Sequence, residues 1–117
     1  MTQRIDFANV PAGKTLRIDN FSCYLRFETG NALGAAQLVL LNSNGSRAFV
    51  LTPNLVLQNE VRTGFNTAKV FVGNETIRAV GRAGQHFRAY ALVRNDSNGS
   101  VGTIAQWSCG ISGTLTP

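Results

Sequence analysis

The chain has 117 residues, of which 44% are hydrophobic and only 15% charged, and it carries a formal net charge of +5. That length suits one domain, residues 1–117, with a core of its own, and low charge with abundant Gly, Asn, Ser and Thr excludes a disordered tail. The 11 cationic residues, nine arginines with Lys14 and Lys69, are scattered without a run, which argues against a specific nucleic-acid reader and leaves solubility with weak attraction to polyanions.

The first strand signal is QRIDFANV, where Ile5 and Phe7 alternate with Arg4 and Asp6 before a turn at Val10–Gly13. Next comes TLRIDNFSCYLRFE. Leu16 and Ile18 share one face, but Phe21, Cys23, Leu25 and Phe27 take the other parity. A change of parity within one run predicts a bulge near Asn20. AQLVLL and RAFVLT flank Asn42–Ser46, a hairpin whose Asn-Gly supplies the positive φ such turns need. NLVLQN reads as a short strand after Pro53. TAKVFV and ETIRAV, separated by Gly73-Asn74, read as a second tight hairpin, and HFRAYALVRN with VGTIAQWSCGIS, separated by Asp96–Ser100, as a third.

No stretch shows sustained helical periodicity. Eight or so short strands with turn chemistry between them predict an all-β, antiparallel two-sheet β-sandwich or jelly roll. The longest aliphatic run, Leu38–Leu41, falls far short of the roughly 20 residues of a membrane-spanning helix, so no membrane insertion is expected. The opening MTQRIDFANV lacks the basic and apolar regions of a signal peptide. Either the chain is not exported by that route, or Met1 precedes a mature sequence. The cysteines favour the second.

Cys23 shares the parity of Phe21, Leu25 and Phe27, and Cys109 that of Trp107 and Ile111. Both therefore point inward, one early in the chain and one in the last strand. They read as a disulfide tying the ends together, and with it an oxidising compartment: secreted, periplasmic or cell-surface. The alternative is two separate buried thiols.

An enzyme is not expected. A catalytic thiolate needs an adjacent base and an orienting group, and His86 is the sole histidine. The acids Asp6, Asp19, Glu28, Glu60, Glu75 and Asp96 give no metal-ligand spacing, so neither metal nor cofactor is expected. Five Asn-x-Ser/Thr sequons, at Asn20, Asn44, Asn74, Asn95 and Asn98, read mostly as turn chemistry, and the chain as bacterial or phage in origin.

What remains is the wet side of the strands. Tyr24 and Arg26 lie on the outward parity of the second run; His86, Arg88 and Tyr90 on that of the penultimate one. Tyrosine planes and forked arginine donors suit sugars and anionic groups. The same residue types also suit a subunit contact or the polar side of any antiparallel sheet. The expected function is a non-enzymatic binding module for carbohydrate or another anionic surface polymer, with Tyr24, Arg26, His86, Arg88 and Tyr90 as contacts. The alternative is a structural subunit of a homo-oligomeric assembly.

VPAGKTLRIDNFSCYL near the start and SCGISGTLTP at the close resemble the ends of small uncharacterised bacterial exported proteins that begin with a VPAGK-type turn and strand. The resemblance implies a β-sandwich and export, and carries over no functional residue.

Overall fold

The computed structural model describes residues 3–28, 30–53, 55–63, 66–95, 97–99, 102 and 104–117, with only the backbone described for 58–63, 66–68 and 105. Among the described residues the chain forms eight strands and no helix: β1 (Gln3–Asp6), β2 (Thr15–Glu28), β3 (Asn31–Leu41), β4 (Arg47–Leu51), β5 (Val56–Thr63), β6 (Asn66–Arg82), β7 (His86–Asn95) and β8 (Ile104–Thr116). They pair antiparallel in two four-stranded sheets, β1-β7-β3-β4 and β5-β6-β2-β8. We call these sheet A and sheet B. The two-sheet sandwich is the architecture that the alternation implies.

One hydrophobic cluster fills the space between the sheets. Sheet B contributes Ile18, Phe21, Leu25, Phe27 and Trp107, and sheet A contributes Leu38, Leu40, Phe87, Ala89, Ala91 and Val93. In β7 the alternation is regular: Phe87, Ala89, Ala91 and Val93 are buried, and His86, Arg88, Tyr90 and Leu92 between them are half-buried. Removing this apolar area from water is the main favourable contribution to folding.

The bulge expected near Asn20 is present. The register of β2 shifts between Ile18 and Asn20 against both neighbours: against β8 Asp19 is the extra residue, whereas against β6 the extra residue lies on β6, between Thr76 and Ala79. The irregularity lets Ile18 and Phe21 both reach the core despite their opposite parities. The hairpin at Asn42–Ser46 is also formed: the amide of Asn42 donates to the Ser46 carbonyl at 2.8 Å, and Gly45 has φ +86°.

Two expected hairpins are corrected. Gly73 and Asn74 do not turn the chain. β6 runs straight through them for 17 residues, with Gly73 opposite Cys23 and Asn74 opposite Ser22 on β2. The long β2 offers a ladder on both sides of Gly73-Asn74, and the Asn74 amide oxygen accepts from Asn20 Nδ2 at 2.7 Å across the strands. Pairing to a neighbour outweighs the local turn preference, and the Asn74 sequon lies in a strand. The second correction concerns Asp96–Ser100. The turn exists in part: the Gly99 amide donates to the Asn95 carbonyl at 2.9 Å with Gly99 at φ +69°, while residues 96 and 100 lie outside the described residues. It does not join paired strands, because β7 belongs to sheet A and β8 to sheet B. The link crosses the sandwich, and β7 pairs with β1 and β3.

The disulfide is formed. Cys23 and Cys109 stand directly opposite each other on β2 and β8, Cα atoms 4.1 Å apart and 86 residues apart in sequence. It joins neighbouring strands of one sheet rather than bridging the two. Closing a loop of that length stabilises by about 4 to 5 kcal/mol in the chain-entropy account.

Candidate functional site

The outer face of sheet A is built around β7. Register places Tyr90 between Arg4 of β1 and Gln37 of β3, Arg88 between Asp6 and Val39, and His86 opposite Leu41. Val39 and Leu41 point outward yet are 0% and 4% exposed. Such burial on an outer face follows when long polar side chains lie across the sheet with their stems against it, and Arg88 stands beside Val39 as Arg47 does beside Leu41.

Asp6 is the hub of the charges. Its carboxylate accepts from Arg88 Nε, lies 3.3 Å from His86 Nε2, and lies 3.6 Å from Arg4 Nε. The Arg88 hydrogen bond, with the charges of Arg88 and Arg4, holds the Asp6 carboxyl below the usual carboxylate range. Arg88 in turn donates from a terminal nitrogen to the Tyr90 hydroxyl at 3.0 Å. That bond, and then the one to Asp6, favour its charged form. These contacts leave Arg88 and Tyr90 fixed in place, each half-buried.

Arg47 brings a second guanidinium to the Tyr90 ring. Its guanidinium lies 5.9 Å from the Tyr90 ring centroid, and that of Arg88 lies 5.7 Å away, both within cation–π reach. Among the described residues Arg47 makes no hydrogen bond or ion pair, so its fork is open to an incoming group. A depression of about 230 Å³ adjoins it, lined by Ala35, Gln37, Arg47, Tyr90 and Leu92. Farther along β7 a second depression of about 260 Å³ is lined by His86 and Arg88 with Asn9, Asn42, Ser43 and Gly84 among its walls. The two lie in series on one face. From His86 to Leu92 the strand rises roughly 20 Å, a site that suits an extended ligand better than a compact one.

The structure brings together three of the five contacts expected from sequence, His86, Arg88 and Tyr90. Tyr24 and Arg26 lie on the outer face of sheet B, in β2, on the opposite side of the sandwich. Tyr24 borders a depression of about 260 Å³ with Ser22, Ser108 and Gly110 over the disulfide. The sequence reading missed Arg47 and Asp6. Strict alternation puts Arg47 on the parity of Phe49 and Leu51, which pack on the core. A register shift between Leu40 and Leu41 sets it opposite Leu41 and turns it outward. Asp6 was visible as an outward residue of the first run, but its partners on β7 lie 80 or more positions away and follow only from the β1–β7 pairing.

Among the described residues no group of three or more His, Cys, Asp or Glu side chains could hold a metal ion, and no helix is long and apolar enough to cross a membrane. Comparison with known protein families, curated proteins and solved structures found no match, so the site is read from its own chemistry.

Proposed function

We propose that the protein is a non-enzymatic binding module of the extracellular or periplasmic space, or of a cell or particle surface. Its ligand is carbohydrate or another anionic polymer, held on the outer face of sheet A. The observation that carries this reading is Tyr90 with the guanidinium groups of both Arg47 and Arg88 within cation–π reach of its ring, beside a depression. The exposed part of the ring offers an apolar plane for a sugar face, Arg47 offers a two-pronged donor for carboxylate or sulfate, and Gln37 adds an amide. Arg4 and Arg88 pair with the carboxylate of Asp6 and Arg47 lies over Tyr90, so the face keeps a positive excess that attracts polyanions. The disulfide supports an oxidising location. No cofactor enters this reading, and no base sequence is read.

A glycan array together with a heparin column in low salt tests it. The expected outcome is retention of the wild type, weakening as salt rises, and loss of retention for Arg47→Ala with Tyr90→Ala while the variant still unfolds cooperatively. A wild type that binds neither the array nor the column would overturn the proposal.

A further inference from the structure

The four borders of the two sheets are not alike. β1 has four residues and carries Arg4 and Asp6; β4 has five and begins with Arg47. β5 follows Pro53, contains Glu60 and Arg62, and breaks register between Leu57 and Asn59. Short length, charge and bulges keep a sheet edge from pairing with another chain. β8 combines none of these along its main run. It has thirteen residues, Ile104–Thr116, with no charged residue and no proline. Its one irregularity lies at the start, where Arg26 pairs with Gln106 and Phe27 with Ile104; from Gln106 to Thr116 it advances without interruption, Asp19 of β2 being the extra residue at the other shift. As a border strand it turns alternate amides and carbonyls away from β2. Every residue from Ser112 to Pro117 is exposed, including Leu115 at 52%, which shares the parity of Trp107 and Ile111.

We propose that β8 pairs with β8 of a second copy of this chain, antiparallel about a twofold axis, joining two copies of sheet B edge to edge. Charge argues for a second copy as occupant. A chain of net charge +5 repels its own kind over most of its surface, and this long border is one along which two copies meet with no like charges in opposition. Pattern argues the same way. Antiparallel self-pairing keeps outward residues beside outward ones when the paired numbers sum to an even value, and the uninterrupted stretch Gln106–Thr116 pairs in full with Ile111 on the axis. Ser108 then faces Thr114, Gln106 faces Thr116, and Trp107 faces Leu115, which covers that exposed side chain. Hydroxyl pairs and aromatic–aliphatic pairs of this kind are favourable cross-strand neighbours, and the contact is the same patch on both copies, as a closed dimer requires.

Sedimentation equilibrium of the full chain from micromolar to millimolar concentration, with hydrogen–deuterium exchange at both ends of that range, tests the proposal. The expected result is a monomer–dimer equilibrium in which the amides of Gln106–Thr116 that point away from β2 exchange at least about tenfold more slowly at the high concentration, while those of β1 and β4 keep their rates. Ser108→Lys with Thr114→Lys sets like charges opposite each other across the axis and weakens the dimer about tenfold or more. Ser108→Lys with Thr114→Glu sets opposite charges there and retains it. A monomer throughout, a dimer whose β8 amides exchange equally at both concentrations, or a double-lysine variant that associates like the wild type would each overturn the proposal. The exchange experiment uses the unaltered chain, so it decides the matter even where a variant fails to fold. Polymer binding by sheet A is read separately, and its failure leaves this inference standing.

Discussion

The two outer faces of the sandwich are built from different chemistry. On sheet A, Arg88 stands beside the buried Val39 and Arg47 beside the buried Leu41, and Asp6 ties Arg4, His86 and Arg88 into one cluster. On sheet B the row nearest the border is small and uncharged: Ser108, Gly110, Ser112, Thr114 and Thr116 on β8, with Ser22 and Asn20 beside them on β2. Sheet A's face is organised side chain to side chain and offers donors and a ring to a ligand. Sheet B's border offers backbone. In the two proposals, recognition falls on one sheet and self-association on the border of the other.

The largest expected effect falls on sheet B. Cys23→Ala with Cys109→Ala releases the clasp between β2 and β8 and should lower the unfolding free energy by about 4 to 5 kcal/mol, measured by denaturant titration, while leaving the sheet A cluster able to form. A loss well under half that size would show that the β2–β8 ladder holds without its covalent tie. Next in size is a pair of glycines in the same strand. A Cβ at Gly113 would run into the backbone carbonyl of Arg17, whereas one at Gly110 would meet Ser22 Oγ at an ordinary 3.6 Å. Gly113→Ala should therefore cost about 1–3 kcal/mol as an overpacking change, and Gly110→Ala much less. Equal effects would deny the close approach of β2 and β8 at the bulge.

Much of this fold is legible in the residues themselves. The alternation in β7 names the buried side, because Phe87, Ala89, Ala91 and Val93 are apolar without exception. The parity change at Asn20 announces the bulge, because Ile18 and Phe21 cannot both face inward on a regular strand. Gly73-Asn74 misleads because a dipeptide reports only local preference, and β2 supplied a partner for β6 on both sides of it. The crossing between β7 and β8 is hidden for the same reason: Asp96–Ser100 encodes a turn, but which sheet the next strand joins depends on pairings far away in sequence. The candidate site shares both properties. His86, Arg88 and Tyr90 are readable from one strand. Their company of Asp6, Arg47 and Gln37 depends on strand order and on a bulge, and the grouping with Tyr24 and Arg26 fails because parity distinguishes outward from inward, not one outer face from the other.

Smaller effects test the cluster around Asp6. Because its carboxyl is held below the usual range, the contribution of the ionised form to stability is present above that range and disappears as pH falls through the depressed value. Asp6→Asn should therefore lose a little stability near neutral pH, limited by solvent screening at this exposed site, and the difference from the wild type should close at the acid end of a pH series of thermal melts. A gap that stays constant with pH would show that the Asp6 ion pairs contribute nothing to stability.

The most direct test of the central claim compares the two faces in one binding experiment. Heparin binding is measured for the wild type, for Arg47→Ala with Tyr90→Ala on sheet A, and for Tyr24→Ala with Arg26→Ala on sheet B, all at one low salt concentration. Each double variant removes one arginine and one tyrosine, so net charge and aromatic content change equally. The account predicts at least about a tenfold loss of affinity for the sheet A variant, a difference of about 1.4 kcal/mol, and near-wild-type binding for the sheet B variant. Equal losses, or the larger loss on sheet B, would contradict it.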